Sequence, residues 1–204
     1  MPRRQSAEDR KAQIVAEVLR LADEIGPDRL STTAIAGAVG VSQPAIFRHF
    51  PTKGALWLAV AEEIAQRLTA AWDAAEARAE TPELRLRGLI GAQLGAIAET
   101  PALPSILFSR ELQIDNPPLR EVFRGLLGAF QARLVATIRN QQAGGGLRRD
   151  VAAQDVAILL TSLVQGVAIR WTLGARGFPL IAEGLRLFDV QMALIRSEEA
   201  ASHE

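Results

Sequence analysis

Apolar side chains recur every three or four residues along nearly the whole chain, and no segment alternates apolar and polar positions as a half-buried strand does. The pattern predicts an all-α protein, and its richness in alanine and leucine agrees. A first helix spans about Ala7 to Ile25, with Ile14, Val18, Ala22 and Ile25 on one stripe, and Gly26-Pro27 ends it. A short second helix follows Leu30. Ser31 or Thr32 caps it, Ile35 and Val39 face inward, and Gly40 falls where a tight turn calls for positive φ. Ser42 caps a third helix with Pro44 in its first turn, where a missing N–H costs nothing because no intrahelical acceptor exists for it. Pro51 pushes the residue before it away from helical angles, so this helix ends near Phe50 after roughly two turns. Two turns are not stable alone. Ile46 and Phe50 share one side as core candidates, while Gln43, Pro44, Phe47 and Arg48 share another that is presented.

Thr52 caps a long helix from Lys53 to about Arg78, and Pro82 opens another with Leu86, Ile90, Leu94 and Ile97 inward. One short helix is predicted around Ile106 to Leu112, between "TPALP" and "DNPP". A long helix beginning at Pro118 carries Leu119, Phe123, Leu126, Phe130, Leu134 and Ile138 inward and stops at Gly144-Gly145-Gly146. The last two helices cover about Val151 to Leu173 and Leu180 to Arg196. In the final one Ile181, Leu185, Phe188, Met192 and Ile195 form a stripe while Leu187, Val190 and Leu194 lie on other faces. In the one before it Val156, Leu160, Leu163, Val167 and Trp171 behave similarly. Both are apolar around more girth than a monomer needs, which predicts a homodimer built from these two helices of each protomer. The longest apolar run, Val156 to Ile169, is about 14 residues, short of the ~20 that cross a bilayer, and reads as a buried helix with no membrane role.

Composition excludes more than it selects. The 204 residues balance 23 basic against 23 acidic side chains, so there is no global nucleic-acid signature. Residues 1–55 carry eight basic and six acidic groups, a mild local excess. With no cysteine there is neither a disulfide framework nor a thiolate metal site, and no apolar segment stands behind the first arginines, which points to the cytoplasm. Two histidines, one of them His203 near the end of the chain, and an "AGGGLRRD" lacking the Lys-Ser/Thr of a phosphate loop leave little for catalysis. Adjacent carboxylates such as Glu62-Glu63 point to different helix faces. No enzyme, cofactor or metal is expected.

The order of helix, short helix, Gly40 turn and Ser42-Gln43-Pro44 helix is that of a helix-turn-helix, whose second short helix enters the DNA major groove; an ordinary helical hairpin is the alternative. The stretch "GPDRLSTTAIAGAVGVSQPAIFRHFPTKGALWLAV" resembles the DNA-binding domain of the tetracycline-repressor (TetR) family. Its separate pieces arrive in order: Leu30, Thr32, Ile35-Ala36, Val39-Gly40-Val41-Ser42, Phe47, His49-Phe50, Lys53 and Leu56. "GLRRDV" at Gly146 to Val151 is a weaker likeness to the same family. The resemblance implies a helix-turn-helix domain over residues 1–52 and an effector-binding and dimerisation domain over 53–204. It also implies a transcriptional regulator, expected to be a repressor, that leaves a palindromic double-stranded operator when a small molecule binds.

Carried over by position, it gives DNA-contact roles to Thr33, Ser42, Gln43, Pro44, Ala45, Phe47, His49 and Lys53. Gln43 suits bidentate pairing with adenine, Pro44 and Ala45 suit a thymine methyl, and Lys53 adds a cation where backbone N–H groups already favour phosphate. Arg3 and Arg4 are candidates for a minor-groove arm. Phe47 departs from the family, which usually has tyrosine there, and removes a phosphate-bonding hydroxyl. For the effector, large apolar residues such as Leu86, Ile90 and Phe123 predict an apolar or aromatic small molecule. Trp72, Phe108 and Phe130 are its candidate lining, with Gln93 and Gln165 as orienting hydrogen-bonders. A helical adaptor that binds a protein partner through its C-terminal region is the alternative from another class.

Overall fold

The computed structural model describes residues 6–196, so Arg3, Arg4 and His203 lie outside the described residues. Ten α-helices account for the architecture, with no named strand among the described residues: α1 Ala7–Ile25, α2 Thr32–Val39, α3 Gln43–His49, α4 Lys53–Arg78, α5 Pro82–Glu99, α6 Leu103–Phe108, α7 Arg110–Asp115, α8 Pro117–Ala143, α9 Ala153–Leu173 and α10 Leu180–Ala193. The described residues fall into two compact units, one within Met1–Gln66 and Thr100–Arg124, the other within Arg67–Glu99 and Gly125–Glu204.

In the first unit, α1 starts on a capping box. Ser6 Oγ accepts from the Asp9 N–H at 3.0 Å while Asp9 Oδ2 accepts from the Ser6 N–H at 3.2 Å. Those Ser6 bonds hold the Asp9 carboxyl below the usual carboxylate range. Ile14, Val18 and Ala22 of α1 are buried, as are Ile35 of α2 and Ile46 of α3, so the three helices share one core; Ile25, at the end of the predicted stripe, is exposed. Leu56 and Trp57, on the first turns of α4, are both 1% exposed and belong to the same unit. The predicted single helix around Ile106 to Leu112 is two helices. The backbone becomes extended at Ser109, whose Oγ accepts from the Leu112 N–H at 3.0 Å and caps α7. The same hydroxyl donates to Asp28 Oδ1, within the 3-10 turn Pro27–Arg29. A serine at the end of an apolar run thus ends one helix and starts the next.

In the second unit α5 packs against α10 and α9. The α5–α10 approach is close enough that a Cβ on Gly184 would stand 2.4 Å from Leu94 Cδ1, and Leu94 has no exposed surface through which to retreat. Gln141 of α8 donates to the Pro82 carbonyl at 2.9 Å, tying the end of α8 to the start of α5. Beyond α8 the chain turns at Gly145, and the Arg149 guanidinium donates to the carbonyls of Gln142 and Ala143 at the helix end, the first of which also accepts from the Gly145 N–H. That gives "GLRRDV" a local capping role.

Helices α9 and α10 are two-faced. Val156, Leu160, Val167 and Trp171 of α9, with Phe188 and Met192 of α10, are buried within the unit. They are the inward stripes of the two helices, and the apolar girth beyond them remains on the surface of the unit. The opposite faces expose Ile158, Leu159, Ile169 and Leu173 on α9, and Ile181 and Val190 on α10 with Leu194 just past it. By length and composition α9 is long and apolar enough to cross a bilayer, a test that a core helix also passes.

Candidate nucleic-acid interface

The α2–α3 pair is assembled from caps and one glycine. Ser31, not Thr32, caps α2, its Oγ accepting from the Ala34 N–H at 3.1 Å. At the other end Gly40 adopts φ 74° and ψ 35°, the left-handed region a side chain enters at a cost, while the Val41 N–H returns to the Ala36 carbonyl at 2.9 Å. This turn sends the chain straight into α3. Ser42 stands at the α3 N-cap with no cap bond from its hydroxyl, and Pro44 occupies the first turn. Ile46 and Phe50, at 1% and 5% exposure, fix one side of α3 to the core, which leaves the other outward.

Of the residues given DNA-contact roles, Thr33, Ser42, Gln43, Pro44, Phe47 and Lys53 are exposed, and Ala45 and His49 are half-buried. Phe47 is 39% exposed, a large apolar ring left on the surface of a seven-residue helix. Lys53 opens α4, and Thr52 caps it by accepting from the Ala55 N–H at 3.0 Å. A cation at a helix start with its own unpaired N–H groups is a setting for phosphate. One contact has no counterpart in the sequence reading: Gln43 Nε2 donates to Thr32 Oγ1 at 2.7 Å. No local spacing rule links residues eleven apart, so only the packing of α2 on α3 reveals it.

In the second unit three of the five candidate effector residues meet. Trp72 Nε1 donates to Gln93 Oε1 at 2.9 Å, and the Trp72 and Phe130 rings lie 5.0 Å apart at 30°. The Arg133 guanidinium stands 5.7 Å from the Trp72 ring centroid, ion-paired to Asp73 at 2.7 Å and to Glu76. Gln93 therefore already serves the buried indole. Gln165 is half-buried on α9 and does not join this cluster. Phe108 belongs to the first unit and stands 49% exposed, because α6 turns Leu103, Pro104 and Ile106 inward instead. Arg133 was not foreseen. Its carboxylate partners sit on α4, four helices earlier in the chain, and each alone reads as solvated charge. Among the described residues no cluster of His, Cys, Asp or Glu forms a metal site.

Residues 14–60 match bacterial regulatory proteins of the tetR family, and residues 82–186 match the C-terminal region of BetI-type transcriptional repressors. The chain is 27% identical over 165 residues to the nucleoid occlusion factor SlmA of Haemophilus ducreyi, an alignment covering 80% of this chain and 79% of that protein. Among solved structures it resembles a putative transcriptional regulator from Saccharomonospora viridis in complex with choline, with TM-score 0.81 and 22% identity over 94% of this chain and 100% of that one. The ketosteroid transcriptional regulator KstR2 of Mycobacterium tuberculosis gives a TM-score of 0.78 at 18% identity, covering 96% of this chain and 98% of that one. At these identities the structural likeness is one of fold.

Proposed function

The chain belongs to the TetR family of bacterial regulatory proteins and is a DNA-binding regulator, and we propose that it is a homodimeric repressor released from a palindromic operator by a small apolar or aromatic effector. The observation that carries the DNA contact is the outward face of α3, where Gln43, Pro44 and Phe47 are exposed while Ile46 and Phe50 hold the helix from behind; Thr33 and Lys53 are exposed near the starts of α2 and α4. A polar amide, two apolar groups and a cation are a base reader, methyl contacts and a phosphate anchor. The exposed aliphatic faces of α9 and α10 favour a second copy, and a two-fold pair of α3 helices then favours a symmetric operator. The match to BetI-type repressors supports the sign of the regulation. The Trp72–Phe130 pair supports an aromatic wall for the effector. The effector shifts DNA affinity by no more than its own preference for the released state.

A selection on random duplexes tests the reading, with the expected result an enriched motif of two inverted half-sites. A thermal-shift screen of apolar, aromatic and polyanionic compounds, followed by DNA release, then tests the effector class. No enriched motif defeats the DNA reading, and release by polyanions alone defeats the apolar pocket. The likeness to a nucleoid occlusion factor favours a second reading, in which the DNA-bound protein acts in nucleoid occlusion and not on one promoter. Occupancy mapped across the chromosome separates it from a repressor of one promoter.

A further inference from the structure

We propose that Thr32 is the positioning residue for base readout by Gln43, an inference that rests on the DNA-binding reading and deepens it. Gln43 is the first residue of α3 and Thr32 the first of α2, and the 2.7 Å bond from Gln43 Nε2 to Thr32 Oγ1 joins the two helix starts. Thr32 is itself fixed, because Ser31 caps the turn it stands on and the side chain is half-buried. Gln43 is exposed, and a free glutamine at such a place samples many rotamers that it must give up on binding.

The bond also selects chemistry. A primary amide has two N–H donors and one carbonyl acceptor. With one N–H given to Thr32, Gln43 keeps one donor and its carbonyl. That remaining set is what the major-groove edge of adenine requires, with N7 accepting and the N6 amino group donating. Guanine offers two acceptors, thymine one acceptor and a methyl, and cytosine one donor, so none uses both groups at once. Thr32 thus presents the amide already aimed, without contacting the base. Because the pair lies on the surface, its loss falls on recognition and leaves the fold almost untouched.

The test uses the full chain as wild type, Thr32→Val, Thr32→Ser, Gln43→Ala and Thr32→Val/Gln43→Ala. A motif is first selected with wild type, and the position read by Gln43 is the one whose preference Gln43→Ala abolishes. Thr32→Val keeps the shape and removes the hydroxyl. It is expected to lower the preference at that same position about three- to tenfold, with the salt slope and the other positions unchanged. Thr32→Ser is expected to restore the preference, and Thr32→Val to add nothing once Gln43 is alanine. Melting curves accompany each variant, with Thr32→Ala replacing Thr32→Val if the latter melts lower. An unchanged preference in the hydroxyl-free variant overturns the inference alone. So does a loss that persists in the Gln43→Ala background, or one spread equally over all duplexes. A wild-type selection without any motif overturns both the inference and the reading beneath it.

Discussion

Helices α2 and α3 in one unit and α9 and α10 in the other are both paired helices with one face in a core and one face out, yet the outward faces differ in kind. The first pair shows an amide, hydroxyls, a proline and one aromatic ring, and Lys53 is exposed at the start of the helix that follows. The second shows Ile158, Leu159, Ile169, Ile181 and Val190, aliphatic groups with nothing to donate or accept. Water satisfies the first face and is a poor solvent for the second. On the proposed reading, the difference separates a face that meets phosphates and base edges from one that meets a partner as apolar as itself.

Placing charge on the aliphatic face breaks that comparison hardest. Wild type is expected to scatter light as twice its 22.0 kDa mass at micromolar concentration. The pair Ile158→Glu/Val190→Glu puts four carboxylates across a two-fold seam, and the protein is expected to run at 22.0 kDa with operator affinity lower by roughly 100-fold or more. Both positions are about half exposed, so the melting behaviour of the subunit itself should change little. An intact dimer places the seam elsewhere. The core side of α10 offers the complementary test. Gly184→Ala sets a methyl 2.4 Å from Leu94 Cδ1 and should cost about 1 to 3 kcal/mol of stability by denaturant titration, since overpacking forces neighbours off their rotamers. A neutral result means that α5 and α10 are free to separate.

Much of this organisation was legible in the residues, and the limits have a physical cause. The bounds of α1, α4 and α5 follow from local chemistry: Gly26-Pro27 stops the first, Thr52 caps the second and Pro82 opens the third. The α2–α3 motif was equally legible because a left-handed Gly40, a cap and a first-turn proline each act within a few residues. What was hidden depends on contacts distant in sequence. The inward stripe of α9 was visible, but whether it faced its own unit or a second copy was not, since periodicity carries no partner. Phe108 belongs to an apolar run whose inward members are Leu103, Pro104 and Ile106, and composition does not rank them. The Thr32–Gln43 bond and the Arg133 pairing with Asp73 and Glu76 are equally non-local.

Within the polar face, base reading and phosphate anchoring separate by substitution. Gln43→Ala should cost on the order of 1 to 3 kcal/mol on the selected operator and relax preference at one position per half-site. Lys53→Ala should weaken all duplexes nearly equally and flatten the dependence of log affinity on log salt by about one unit. Titrations of operator and scrambled duplex at several salt concentrations measure both. If the two variants give the same profile, the outward face of α3 is an electrostatic surface with no reader on it.

The smallest effect expected is a gain. Phe47 leaves 39% of its surface exposed beside Gln43 and Pro44, with no hydroxyl to direct at a backbone oxygen. Phe47→Tyr adds one donor at the outer edge of the ring, where a residue already half in water loses little by carrying a polar tip. The core behind it is undisturbed, because Ile46 and Phe50, and not Phe47, hold α3 in place. A phosphate contact is blind to sequence, so the substitution should raise affinity for operator and scrambled duplex alike, by about two- to tenfold, while base preferences stay as they were. A gain confined to the operator would make Phe47 a reader of a thymine methyl whose ring position the hydroxyl improves. A loss would mean that the ring packs where water is excluded, leaving the new hydroxyl unpaired.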